Sequence, residues 1–190
     1  MNRTLLLLLF SSLLFVACKD TEKSLTPLDI ANTYYEALSN SNGEALKPLL
    51  SDTLYTKELD YDYEETFSKK QYLENWLKWD AMFDPTYEVL EIKQENQQVK
   101  ATISKFDKRI EVLHETPTVW KETLEFENHK IARIYRQNVT FNDSLWEQNR
   151  NQLLQWVDEH HPELNGFIFD QTEAGGLNYL KALELYKNKK

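Results

Sequence analysis

The sequence is poor in glycine, cysteine and positive charge. Its 190 residues include four glycines, placed so that no glycine-rich phosphate loop, dinucleotide fingerprint or nucleophile elbow can be built from them. Cys18 is the only cysteine, which excludes an internal disulfide, a cysteine zinc site and cysteine catalysis in the body of the chain. Basic residues number 22 against 31 acidic ones, for a formal net charge of −9. We therefore expect no nucleic-acid partner, because acidic surfaces repel phosphate.

Residues 1–17 have the form of a secretory signal. Arg3 supplies positive charge at the start, and an almost wholly apolar run follows from Leu5 to Val16, just ahead of Cys18. This run of about a dozen residues is shorter than the roughly 20 that a membrane-spanning helix needs. The pattern predicts a cleaved signal peptide and a mature protein outside the cytoplasm.

The segment 14–18, with the sequence LFVAC, resembles the lipobox of bacterial lipoproteins, with Phe15 where leucine is preferred. The resemblance implies cleavage before Cys18 and attachment of fatty-acyl chains, such as palmitate, to this cysteine. The protein would then be anchored in the cell envelope, at the periplasmic or the surface face of the outer membrane, with residues 18–25 as a tether. An ordinary signal with an incidental cysteine is the alternative.

Three helices are predicted early in the mature chain, the first and the third from capping signals. Thr26-Pro27-Leu28-Asp29 starts a helix that runs to Asn40, and Glu44 to Leu50 forms a second, short one. Ser68 with Gln71 forms a capping box that opens a third helix towards Phe83. Between the last two, residues 54–56 are predicted as a short strand, and the acidic residues 60–65 as a loop or an edge strand.

After Pro85 the apolar period changes from helical to two, which predicts four antiparallel strands. The first runs from residue 87 to 95 and turns at Asn96-Gln97. The second is predicted over residues 98–115, with a bulge near Ser104-Lys105 where the apolar parity flips. The last two, 118–127 and 130–140, form a hairpin around Asn128-His129. From Asn142 the pattern is helical again, which predicts a helical C-terminal extension over residues 142–190.

The order of these elements resembles the SnoaL-like branch of the nuclear transport factor 2-like (NTF2-like) superfamily. Residues 30–38 and 43–51 are similar to the opening helix pair of that family, and residues 128–135 to its closing hairpin. The resemblance implies an α+β fold over residues 26–141, in which a curved antiparallel sheet wraps around the N-terminal helices as a cone with a pocket. The superfamily includes ketosteroid isomerase-like and dehydratase-like enzymes, polyketide cyclases and pockets without chemistry, so the fold does not decide the function.

A two-residue loop at Asn128-His129 fixes the pairing expected in the last hairpin. It places four pairs opposite one another: Phe126 with Ile131, Leu124 with Arg133, Glu122 with Tyr135, and Trp120 with Gln137. If this face lines the cone, Glu122 could act as acid or base and Tyr135 as a hydrogen-bond donor, beside the Arg133 guanidinium. A structural ion pair, or a solvated outer face, is the alternative.

The third helix carries a further candidate. Asp80 lies one turn after Trp76, on a helix that walls the pocket in the related family, and could accept a proton. Family enzymes use an aspartate or an aspartate–histidine pair, and Asp80 with His114 is the nearest equivalent. A solvated Asp80 and a structural His114 are the alternatives. Tyr34, Trp76 and Trp120 complete the predicted ligand-binding walls.

We expect neither a metal nor a cofactor. The acids of residues 60–65 lack the glycine and the spacing of a calcium loop, and the adjacent His160 and His161 point in different directions on a helix. The sequence thus predicts a lipid-anchored protein that binds a small, partly apolar ligand or supports a partner, without catalysis. An isomerase, dehydratase or cyclase that uses a pocket carboxylate is one alternative, and a dimeric scaffold is another.

Overall fold

A computed structural model describes residues 25–189 of the protein. The predicted signal, Cys18 and all of the predicted tether except Leu25 lie outside the described residues. The helices and strands are α1 Pro27–Ser39, α2 Gly43–Leu46, β1 Leu50–Glu58, β2 Tyr63–Ser68, α3 Lys69–Ala81, β3 Thr86–Glu95, β4 Gln98–Phe106, α4 Lys108–Leu113, β5 Thr118–Glu127, β6 Lys130–Asn138, α5 Asp143–His160 and α6 Glu173–Lys187. Short 3₁₀ turns occur at Lys47–Leu49, Pro162–Leu164 and Phe167–Phe169.

The strands form one curved, six-stranded sheet in the order β2-β1-β6-β5-β4-β3. The predicted α+β class with a curved sheet is confirmed. Two further strands join the four predicted after Pro85. The short strand predicted at residues 54–56 extends over 50–58 as β1, and residues 63–68, which overlap the segment predicted as a loop or an edge strand, form the edge strand β2. The sheet is mixed rather than purely antiparallel, since β1 lies parallel to β6 while all the other neighbours are antiparallel.

Helix α1 forms where its capping signals predict it and covers one face of the sheet. The Thr26 hydroxyl accepts from the Asp29 amide, and the Asp29 carboxylate accepts from the Thr26 amide, so two amides that a helix start leaves unpaired are satisfied. Ile30, Tyr34 and Leu38 point at the sheet and are buried in the main core with Val99, Ile103, Leu124 and Ile134. We call this the inner face of the sheet, and the opposite one the outer face.

Helix α3 contains a π-helical turn at Tyr72–Trp76, between the regular segments Lys69–Gln71 and Leu77–Ala81. The predicted capping box at Ser68 and Gln71 is present. In the π turn the Tyr72 and Trp76 rings are stacked, with centroids 4.7 Å apart. Such turns are rare and often occur at functional sites, and here the turn sets the position of an indole.

The prediction of one long strand over residues 98–115 is wrong. Strand β4 ends at Phe106, and Asp107 starts helix α4 by accepting hydrogen bonds from the amides of Arg109 and Ile110. The change of apolar parity therefore marks a change from strand to helix, not a bulge near Ser104-Lys105. The bulge lies in the neighbouring strand β3, between Val89 and Glu91.

The predicted pairing of the last hairpin is correct at its turn and wrong beyond it. Asn128 and His129 have φ values of 50° and 59°, as a two-residue turn of this kind requires. Phe126 pairs with Ile131 as expected, but a register shift follows between Phe126 and Glu125, and Ala132 is the extra residue. Since a shift by one residue reverses which face each side chain occupies, the rest of β6 points the opposite way from the prediction.

The C-terminal extension packs against the cone domain rather than standing apart. Helices α5 and α6 share a second apolar core with α3 and α4, which includes Trp79, Phe83, Leu113, Leu153 and Tyr179. The last helix, α6, begins at Glu173 with Thr172 as its cap. Across residues 25–189 no helix is both long and apolar enough to cross a membrane.

Candidate functional site

A cavity of about 180 Å³ opens on the inner face of the sheet, between α3 and the strands. Four of the residues that line it are aromatic, two are cationic, one is acidic and two are neutral and polar. They are Trp76, Tyr87, Trp120 and Phe141; Lys105 and Arg136; Glu58; and Thr118 and Asn138. The predicted walls Trp76 and Trp120 are thus brought together here.

A larger depression of about 410 Å³ lies on the outer face, where Lys121, Thr123, Tyr135 and Gln137 contribute to it. Two of its lysines, Lys93 and Lys100, bind Glu95 with N–O distances of 2.9 and 2.5 Å. We place the candidate site in the inner cavity, because aromatic side chains that surround a small hollow can exclude water from a ligand, whereas the outer depression is bordered by solvated charges.

Glu122 is buried beside this cavity and is held by three donors. Its Oε1 accepts from the Tyr35 hydroxyl at 2.8 Å. Its Oε2 accepts from Trp120 Nε1 at 3.0 Å and from Arg136 Nε at 2.7 Å. Both oxygens are thus committed to protein partners, an arrangement that fixes the indole and the guanidinium in place. Burial, with the Glu122 charge as a further cause, raises the pKa of Tyr35 well above its usual value.

Arg136 links this buried carboxylate to the cavity. Its Nη1 donates to Glu58 Oε1 at 3.3 Å, and its guanidinium lies 5.8 Å from the centre of the Trp120 ring. Its Nη2 has no hydrogen-bond partner among residues 25–189, and its side chain is partly exposed to the cavity. Arg136 therefore keeps donors available for a ligand.

Asp80 lies in a second buried cluster on the other side of the cavity. Its Oδ1 accepts from Lys105 Nζ at 2.6 Å and from Arg109 Nη2 at 2.9 Å, and its Oδ2 accepts from the Tyr87 hydroxyl at 2.6 Å. Asp107 completes the cluster, 3.4 Å from Lys105 Nζ and in a short ion pair with Arg109. Two carboxylates thus face two cations, so the cluster is electrically balanced.

The charges of this cluster shift its pKa values. Burial by itself raises the pKa of Asp80, but the nearby charges of Lys105 and Arg109, with the hydrogen bonds, outweigh it and hold that pKa below its usual value. Burial, opposed by Asp80, lowers the pKa of Lys105. A carboxylate whose pKa is lowered is a weak proton acceptor at neutral pH, so this geometry does not favour Asp80 as a general base.

His114 does not meet Asp80. Its Nε2 accepts from the Asn142 amide at 2.8 Å, so Nδ1 carries the proton and donates to the Thr116 carbonyl at 2.7 Å. Its ring stacks on Phe141, with centroids 5.1 Å apart. Both nitrogens are therefore used to fix the start of the C-terminal extension, and the expected aspartate–histidine pair does not form.

The remaining predicted residues lie elsewhere. The bulge at Ala132 turns Arg133 and Tyr135 to the outer face, where Arg133 binds Glu127 at 2.8 Å and Tyr135 contacts the Tyr55 ring. The interpretation that places them opposite Leu124 and Glu122 is corrected accordingly. Tyr34 is fully buried in the core, where a hydrogen bond of 2.9 Å joins its hydroxyl to that of Tyr72.

Sequence reasoning missed Glu58, Tyr87, Lys105, Phe141 and Arg136 as parts of the site. Lys105 belongs to the alternating inner positions of β4, in step with Val99, Ala101 and Ile103, so strand parity could have found it. Arg136 could have been found only by recognising the bulge. In residues 25–189 no group of three or more histidine, aspartate or glutamate side chains is placed to hold a metal ion.

No protein-family model and no curated protein matches this sequence. Several solved structures match in shape. A candidate ketosteroid isomerase from Kribbella flavida superposes with a TM-score of 0.50 and 13% identity, over 62% of this chain and 80% of that one. A cystatin-fold protein from Novosphingobium aromaticivorans gives 0.50 and 12% identity, over 59% and 97%. An NTF2-like protein from Cytophaga hutchinsonii gives 0.48 and 13% identity, over 62% and 94%.

The fold is NTF2-like. Identities this low show the fold alone, and the activities of these proteins do not transfer to the chain. The NTF2-like domain places its cavity on the inner face of the sheet, where the pocket expected from the resemblance would lie. Phe141, at the junction with the C-terminal extension, forms part of its wall.

Proposed function

We propose that this protein is a lipid-anchored protein of the cell envelope whose NTF2-like domain binds a small ligand of one ring, without catalysis. The observation that carries the proposal is the inner cavity with four aromatic walls and cationic donors at its edge.

The size of the cavity supports a ligand of one ring. A closed apolar cavity of about 150 Å³ holds benzene in another protein, and the cavity here measures about 180 Å³. A six-membered ring with one small substituent therefore fits inside, whereas part of a fused ring system would extend beyond the cavity into solvent.

The distribution of polar groups supports one polar substituent on that ring. Arg136 has unused donors and Glu58 an unused oxygen among the described residues, and both line the cavity. Trp76, Tyr87 and Trp120 provide flat apolar surfaces for the ring itself. A ring with a hydroxyl or carbonyl group would satisfy both requirements.

The partners of the two buried carboxylates favour binding over catalysis. Glu122 is occupied by three donors and Asp80 by three others. A general base must reach the proton that it removes, and a carboxylate bound in this way would first have to break strong contacts.

The lipid anchor is supported by the lipobox-like segment before Cys18.

Calorimetric titration with one-ring and two-ring alcohols tests the ligand class. We expect phenol to bind and 1-naphthol to bind much more weakly. Trp76→Ala should weaken phenol binding by about fivefold or more, because a stacked aromatic contact is lost. Trp156→Ala is the matched control on the C-terminal extension, where its ring contacts His160 and Tyr186, and it should leave the affinity unchanged. Absence of phenol binding, or equal binding by the Trp76 variant, would refute the proposal.

A further inference from the structure

The two edges of the sheet differ in how well they are protected. Strand β3 forms one edge and β2 the other. The bulge in β3 places Leu90 outside the ladder and breaks the regular edge, which is a common protection against pairing with another chain. Strand β2 pairs with β1 without any register shift, from Thr53 with Ser68 to Glu58 with Tyr63. Within residues 25–189, its other edge therefore presents a regular row of unpaired backbone groups.

The β2 edge carries a strong local excess of negative charge. Residues 59–68 include four acidic side chains and no basic one. Among the described residues, Lys57 is the cation that pairs with this group, 2.7 Å from Asp62 and 3.5 Å from Glu64. The Asp62 side chain is 90% exposed and that of Glu64 is 57% exposed, so both remain accessible to a second cation.

Large apolar side chains lie beside these acids. Leu59, Tyr61 and Tyr63 are 49%, 49% and 55% exposed, whereas other leucines and tyrosines of this protein, such as Leu54 and Tyr72, are buried. The loop that holds the first two is fixed rather than loose, because the Leu59 amide donates to the Arg136 carbonyl at 2.8 Å and the Asn138 amide donates to Asp60 at 2.6 Å. A fixed, half-exposed aromatic surface next to a free strand edge is suited to contact with a partner.

We propose that β2, with the loop before it, binds an extended, positively charged segment of another protein, which adds to the sheet as a further strand. Backbone hydrogen bonds to β2 would provide affinity, and lysine or arginine side chains opposite Asp62 and Glu64 would provide selectivity. The surface is distinct from the inner cavity and its use does not depend on the cavity's ligand.

The charge argues against a second copy of this chain at the same edge. Two β2 edges that met would bring together two sets of four carboxylates, and like charges placed opposite each other across strands are destabilising. The formal charge of −9 for the whole chain adds to the repulsion. A basic segment meets neither obstacle.

Fluorescence anisotropy with the full mature chain and a labelled peptide tests the proposal. The probe is a peptide of alternating lysine and valine, as long as β2. We expect it to bind, and its affinity to fall at least about tenfold between about 0.05 M and about 0.5 M NaCl as the charges are screened. Hydrogen exchange of backbone amides should slow within residues 63–68 when the peptide is added, because these amides gain partners.

Two controls separate strand addition from simple attraction between charges. A peptide of equal charge with proline in place of valine cannot complete the ladder, and we expect no binding. Asp62→Asn with Glu64→Gln should weaken binding by about fivefold or more, whereas Glu88→Gln with Glu91→Gln on β3 should leave it unchanged. Asparagine is chosen for Asp62 because its φ is 49°, which asparagine tolerates.

Three results would overturn the proposal. The first is equal binding of the proline peptide, which would indicate only non-specific attraction. The second is unchanged exchange within residues 63–68 in the presence of bound peptide. The third is a dimer in sedimentation that already protects these amides without peptide, which would make a second copy the occupant. None of these results bears on phenol binding in the inner cavity, so the two proposals fail independently.

Discussion

Buried charges in this protein are organised residue by residue into balanced groups. Asp80 is the centre of one group, because it accepts hydrogen bonds from Lys105, Arg109 and Tyr87. Removal of one member of such a group leaves the others buried without compensation, which costs more than the loss of an exposed ion pair.

Asp80→Asn should lower the free energy of unfolding at pH 7 by about 3 kcal/mol, since Lys105 and Arg109 would both lose their shared carboxylate. Asp84→Asn is the matched control. Asp84 binds Lys108 at 2.6 Å, but its side chain is largely exposed, and we expect a loss of at most about 1 kcal/mol. Urea unfolding of the three proteins measures both values. Equal stabilities for the two variants would show that the Asp80 cluster is not a structural group.

The same residues predict how stability depends on pH. The pKa values of Asp80 and Asp107 lie below the usual 3.8 in the folded protein. The folded state therefore gains stability from these carboxylates above pH 3.8, and loses it as the pH falls through their lowered pKa values. We expect the wild-type protein to lose stability steeply below about pH 4, and the Asp80→Asn variant to lose less. Parallel curves for the two proteins would contradict this assignment.

At the scale of elements, the sequence predicts helix starts and turns correctly where a few neighbouring residues determine the local backbone geometry. The capping boxes at Thr26 and Ser68 and the turn at Asn128-His129 are all confirmed. The start of α4 was missed although Asp107 is a good helix cap, because the alternating pattern of β4 continues up to it. Where a helix cap and an alternating strand pattern overlap, the sequence does not show which of the two structures forms. The choice depends on the residues that a helix or a strand would contact in the folded protein.

The bulge at Ala132 shows what local signals do not contain. Ile131 and Ile134 are both fully buried although they lie three residues apart, which indicates a change of parity in β6 but not which of the two residues between them is the extra one. The register shift is favoured because it buries Ile134 against Leu124 and brings Arg136 to Glu122. The cavity walls Trp76 and Trp120 could be predicted from the sequence, but the partners that meet only through long-range pairing could not.

The C-terminal extension provides a prediction at the same scale. Leu153 of α5 is fully buried in the second core, and Leu153→Ala should cost about 2–5 kcal/mol, because a cavity replaces its side chain. Leu177→Ala in α6 is the control, since Leu177 is exposed, and should change stability by no more than about 0.5 kcal/mol. If thermal unfolding of the Leu153 variant matches the wild type, the extension does not unfold with the cone domain.

At the scale of the whole molecule, an acidic domain is predicted to be held at a membrane by lipid rather than by charge. With a net charge of −9, the chain would be repelled by anionic lipid headgroups, so the acyl chains on Cys18 would have to supply the attachment. The dimeric scaffold, an alternative function at the level of sequence, stays untested, and we do not expect such a dimer to form through the β2 edge.

Cys18→Ala should move the protein from the membrane fraction to the soluble fraction of the envelope when expressed in a bacterium that processes lipoproteins. We expect a large loss, because the acyl chains on Cys18 are the proposed means of attachment. Fractionation followed by immunoblotting measures it, with Ser24→Ala in the predicted tether as the control. Retention in the membrane of a Cys18 variant from which residues 1–17 have been cleaved would rule out lipidation as the means of attachment.

The proposed ligand ring enters the inner cavity of the NTF2-like domain between Trp76 and Trp120. The five tryptophan indoles report on it directly by nitrogen-15 NMR during titration with phenol. We expect shifts of the Trp76 and Trp120 indole signals and none for Trp79 and Trp156, which belong to or pack against the second core. Unchanged Trp76 and Trp120 signals at saturating phenol, or shifts confined to Trp79 and Trp156, would contradict the proposal.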